Sequence, residues 1–66
     1  MKHPLYNQVM QRRQTLGLTQ AELAKQVGVS RQTIISIEKG HYEPSVRLAL
    51  ALAKALDCSV ETLFYF

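Results

Sequence analysis

The stretch Gln20–Lys39, QAELAKQVGVSRQTIISIEK, constrains this chain more than any other part of it. Thr19 and, three residues later, Glu22 form a capping box, each side chain placed to bond the other's backbone N–H. Leu23, Ala24 and Val27 then recur at helical spacing. Gly28 is a natural stop, because glycine enters the left-handed region without steric penalty. Ser30 is a good N-cap for a second helix, which the pattern carries to Lys39 and ends at Gly40. The expected product is two short helices joined by a tight turn. An ordinary αα-hairpin satisfies the same local signals.

The helical wheel of the second of these helices narrows the choice. At roughly 100° per residue, Thr33, Ile34, Ile37 and Glu38 gather on one side, and Gln32, Ile35, Ser36 and Lys39 on the other. The isoleucine pair requires packing. The opposite strip is short-chained and rich in amide and hydroxyl groups, where a merely solvating face would more often carry Glu and Lys. Gln, Ser and Arg side chains can exchange hydrogen bonds with base edges in the major groove of DNA.

These residues resemble the phage-repressor and Cro-like helix-turn-helix proteins, the XRE type. The resemblance runs from about Leu5 to Phe64 and rests on GLTQAELAKQVGVS, RQTI, IEKG, PS and ALAKAL. That family has a small residue where Ala24 stands, glycine at Gly28, and branched apolar residues at Ile34 and Ile37. The implied fold is all-α, a five-helix lambda-repressor-like domain covering residues 1–66, with the helix-turn-helix at its second and third helices. The implied function is a sequence-specific transcriptional regulator, expected to be a repressor, that binds double-stranded DNA at a pseudo-palindromic operator as a homodimer. Arg31, Gln32, Ile35 and Ser36 are then expected to face bases, and Gln20 and Lys39 to hold phosphates. Two other readings stay open: an antitoxin that also binds a toxin partner, and a protein-interaction module without DNA binding.

Composition is compatible with this reading without requiring it. Eight Lys and Arg against five Asp and Glu give a formal charge of +3, which suits a polyanion. Sixty-six residues lie near the lower limit for a domain that folds alone. A single cysteine, Cys58, excludes an internal disulfide and is expected to act as a small apolar residue. The uncharged apolar run at Leu48–Ala53 is too short to span a bilayer. With no leader-like N-terminus, a cytoplasmic protein is expected. His3, His41 and Cys58 lack zinc-site spacing. No catalytic group, metal site or cofactor is expected, and no enzyme activity.

Along the rest of the chain, Met1–Pro4 reads as a short arm, with Lys2 and His3 near phosphates or simply solvated. A first helix is expected from Leu5 to Leu16, Leu5, Val9 and Leu16 facing the core while Tyr6, Asn7, Gln11 and Gln14 face water. Leu18 is expected to pack back on the core. Arg12 and Arg13 flank the apolar face of this helix. Glu38, core-facing and near a helix C-terminus where negative charge is disfavoured, needs a cation, and the wheel does not choose between the two arginines. The family resemblance implies Arg13, four residues before Gly17. Ser45 should cap a fourth helix, Val46–Leu56, with Leu48, Leu52, Ala55 and Leu56 buried. Asp57 stands where the family has glycine, and aspartate tolerates the left-handed conformation. Ser59 should cap a fifth helix to about Phe64. Phe64, Tyr65 and Phe66 are too many aromatics for one small core and read as a dimer contact.

Overall fold

The computed structural model describes residues 4–66. The expected arm, with Lys2 and His3, therefore lies outside the described residues apart from Pro4. The described chain holds five short helices, α1 (Val9–Thr15), α2 (Gln20–Val27), α3 (Arg31–Glu38), α4 (Val46–Ala55) and α5 (Val60–Leu63). The longest is 10 residues, shorter than the roughly 12–15 that an isolated helix needs in water. Caps and packing must therefore hold all five.

The caps are where the side-chain chemistry puts them. Glu22 N–H donates to Thr19 Oγ1 at 3.0 Å and Thr19 N–H donates to Glu22 Oε1 at 2.9 Å. The backbone donor of Thr19, and then its hydroxyl, hold the Glu22 carboxyl below its ordinary pKa. Ser30, Ser45 and Ser59 accept from the N–H groups of Thr33, Leu48 and Thr62. Gly28 ends α2 at φ 77°, and Asp57 takes φ 55° after α4.

Leu23 and Ala24 of α2, Ile34 and Ile37 of α3, and Leu48 and Leu52 of α4 form the buried centre, closed by Val9, Leu56 and Leu63. Each large aliphatic side chain so buried contributes about 1.5–3 kcal/mol. Leu18 and Cys58 pack partly buried against this core, as expected. In α4 the buried alanine is Ala53, while Ala55 is half-buried.

The ends of the chain depart from the all-helical expectation. Tyr6–Asn7 (β1) and Phe64–Tyr65 (β2) form a two-stranded antiparallel ribbon, Tyr6 opposite Tyr65 and Asn7 opposite Phe64. The first helix consequently starts at Val9 rather than Leu5. Its Leu16 follows the last helical turn and is 48% exposed, not core-facing. Asn7 is half-buried instead of facing water. The physical reason is a pairing between the two chain ends: Gln8 N–H donates to the Leu63 carbonyl at 2.9 Å, and the Tyr6 and Tyr65 rings stack with centroids 5.9 Å apart.

A Cβ added at Gly28 would meet nothing within 4 Å, so only the backbone conformation opposes a side chain there. Gly28→Val is expected to lower stability by about 1–2 kcal/mol, with Gly28→Asn lying well inside that. Urea unfolding of both variants checks the ranking.

Candidate nucleic-acid interface

The turn between α2 and α3 is drawn tight on Ala24, whose carbonyl accepts from both Gly28 and Val29 N–H groups. Ala24 is itself buried, so α3 comes close to α2. Ile34 and Ile37 point into the core. Arg31, Gln32 and Lys39 are exposed, and Ile35 and Ser36 are half-buried between them. The five residues expected to meet DNA from α3 thus share one outward side. Gln32 Nε2 lies 3.4 Å from Ser36 Oγ, one turn along, a contact that orients the amide without burying it.

A buried charge cluster backs this face. Arg13 Nε donates to Glu38 Oε2 at 2.7 Å and Nη2 donates to Oε1 at 3.3 Å. The two side chains are only 10% and 4% exposed. Arg13 Nη1 donates to the Leu18 carbonyl at 3.0 Å, and Gln20 Nε2 donates to Glu38 Oε1 at 3.0 Å. Between the two candidate arginines the geometry selects Arg13. Arg12 is half-buried, and its Nε has no hydrogen-bond partner among the described residues. Gln20 is half-buried at the start of α2. One N–H of its amide is engaged by Glu38 inside the protein, and that bond leaves the second N–H of the same amide unused.

Beyond α3, His41 N–H donates to the Ser36 carbonyl at 2.9 Å, which folds the following loop back along the helix. His41 and Tyr42 then share a shallow cleft with Ser30, Gln32, Thr33 and Ser36. The helical wheel puts Thr33 with the packed side. It is half-buried, and its hydroxyl lies 3.0 Å from that of Ser30. It therefore borders the outward face through its cap, a position that periodicity alone does not reveal. The aromatic tail divides. Phe64 packs inward on the core, while Tyr65 is exposed and Phe66 is 81% exposed. Only the last two offer an outward contact. No group of three His, Cys, Asp or Glu suited to a metal ion occurs among the described residues.

Comparison with known proteins agrees with this geometry. A family model described as helix-turn-helix matches residues 9–63. An uncharacterized HTH-type transcriptional regulator of Methanocaldococcus jannaschii is 54% identical over 50 residues, covering 76% of each chain. The HTH-type regulator YgzD of Bacillus subtilis is 44% identical over 59 residues, covering 89% of each. The P22 c2 repressor, solved in complex with a synthetic operator, superposes with a TM-score of 0.80 at 42% identity over 82% of each chain. SinR, solved in complex with DNA, gives a TM-score of 0.77 at 32% identity, covering 83% of this chain and 89% of that one.

Removing one partner of the buried pair strands the other. Glu38→Ala or Arg13→Ala alone is expected to lower stability by about 3–5 kcal/mol. Replacing both with apolar residues of similar volume should lower it far less. Chemical unfolding of the two single variants and the double variant measures the coupling, and a single-variant loss of a few tenths of a kcal/mol would contradict a buried pair.

Proposed function

The chain belongs to the helix-turn-helix family, and we propose from this that it is a sequence-specific DNA-binding transcriptional regulator, a repressor, that inserts α3 into the major groove. The observation that carries the reading is the outward side of α3. Arg31, Gln32, Ile35, Ser36 and Lys39 stand together there, while Ile34, Ile37 and Glu38 hold the opposite side in the core. Gln32 lies near the N-terminal end of α3, and its amide both donates and accepts, matching adenine N6 and N7. Ile35 suits a thymine methyl. Arg31 and Ser36 read neighbouring base edges. Lys39 is at the far end, where a flexible ammonium suits a phosphate. At the start of α2, Gln20 holds a phosphate through the amide N–H that Glu38 does not take, together with the backbone N–H groups there.

One such helix reads few base pairs, so two copies are proposed to act together, related by a two-fold axis, their α3 helices about 34 Å apart. The contact surface of this dimer lies on α5 and the outward end of the ribbon, at Tyr65 and Phe66. A role on DNA also places the protein in the cytoplasm. No helix among the described residues is long and apolar enough to cross a membrane.

Selection of duplexes from a random pool, followed by binding at several salt concentrations, tests the reading. Enrichment of a two-fold symmetric site with affinity falling steeply in salt supports it. No enrichment would overturn it. Gln32→Ala is expected to lose about 1–3 kcal/mol at one base position and relax the preference there, whereas Lys39→Ala should weaken all sequences alike and reduce the salt slope by roughly one.

The dimer contact is checked separately. Deleting Phe64 would also open the core, so the informative variant is Tyr65→Ser with Phe66→Ser. It is expected to sediment as a monomer and to bind the selected site weakly. Retention of the dimer would place the interface elsewhere.

A further inference from the structure

Three parts of the fold that are distant in sequence meet at the side chain of Asn7. Its Nδ2 donates to the Ile37 carbonyl in the last turn of α3, 3.0 Å away. Its Oδ1 accepts from Val9 N–H, the first of α1, at 3.1 Å. Its backbone lies in β1, opposite Phe64 of β2. Gln8 occupies the N-cap position of α1 but makes no side-chain cap, so Asn7 supplies the acceptor from one residue further back. The Ile37 carbonyl also accepts from Gly40 N–H at 2.9 Å, so both of its lone pairs are used. One planar amide thus ties the exit end of α3 to the start of α1 and to the ribbon.

We infer that Asn7 is a positioning residue for base reading, although it stands on the far side of α3 from the outward face. The inference rests on α3 being the recognition helix. Apolar contacts at Ile34 and Ile37 fix how deeply α3 sits, but they are non-directional. Directional contacts to its last turn come from three side chains, the Arg13 fork and the Gln20 amide on Glu38 and the Asn7 amide on the Ile37 carbonyl. They arrive from different segments, the middle of α1, the start of α2 and the ribbon, and together they set the rotation and tilt of the helix. Hydrogen bonds to base edges weaken steeply with misalignment, whereas charge contacts with phosphate tolerate it. Loss of the Asn7 amide therefore lowers discrimination between sequences more than it lowers general affinity. Because Asn7 is also a ribbon residue, it connects α3 to the strand that carries Tyr65 and the proposed dimer contact.

Asn7→Ser keeps an acceptor for α1 and the same charge, but its hydroxyl is too short to reach Ile37. Asn7→Ala removes both bonds. The full chain, its selected duplex and a scrambled duplex of equal length are compared at a temperature where circular dichroism shows every variant folded. Asn7→Ser is expected to lower the ratio of specific to non-specific affinity by about three- to tenfold, the scale of coupling through residues that touch no ligand. Non-specific binding should stay nearly constant, and the base preference should relax at the position read by Gln32. A lower melting temperature with an unchanged ratio and preference would make Asn7 purely structural and overturn the inference. If the unaltered protein shows no sequence preference, the proposed function falls, and the positioning role is read by NMR without DNA. Backbone amide resonances of Arg31–Ser36 must then move in Asn7→Ser, and unmoved resonances overturn it.

Discussion

The carboxylate of Glu38 holds this small structure in register. It is 4% exposed and receives two bonds from Arg13 and one from Gln20. Arg13 in turn donates to the Leu18 carbonyl. Four segments, α1, the turn after it, α2 and α3, thereby converge on one charged group. A buried ion pair is weak evidence for net stability, because desolvation offsets much of its Coulomb attraction. Its effect is directional. An apolar substitute would fill the space and leave α3 freer to rotate, and the outward face of α3 depends on that rotation.

The helix-turn-helix was legible in the sequence because its determinants are local. Thr19 with Glu22, Ser30, Ser45 and Ser59 mark starts, and Gly28 and Asp57 mark left-handed ends. Each acts within a few residues of itself. The partner of Glu38 was not legible by periodicity, since Arg12 and Arg13 flank the same stripe; the family resemblance chose Arg13, and the structure agrees. The ribbon was not legible at all. It joins residues at opposite ends of the chain, and a strand of two residues leaves no alternating pattern to detect. Its presence shortens α1, takes Asn7 out of solvent and draws Phe64 inward. The inward bond of Gln20 was not legible for a related reason. A glutamine at a helix start reads as an exposed donor until tertiary packing brings Glu38 within 3.0 Å of it.

Seen as a device, the molecule separates support from reading. Support is buried and short-ranged: Ala24 permits the approach of α3, Ile34 and Ile37 set its depth, and the charge cluster and Asn7 set its angle. Reading is left to exposed or half-buried side chains with few partners of their own. A chain of 66 residues has little core to spare. Drawing both ends of the chain into a ribbon against that core adds burial at Phe64 and gives the far end of α3 a fixed point.

The central claim is that the outward side of α3, and not another surface, meets DNA. Titrating the isotope-labelled protein with its selected duplex, while following backbone and side-chain amide resonances, tests it directly. The account predicts the largest changes at Arg31, Gln32, Ile35 and Ser36, with the Gln32 side-chain amide among them, and smaller ones at Gln20 and Lys39. Changes confined to α4, α5 or the ribbon, with α3 unmoved, would contradict it.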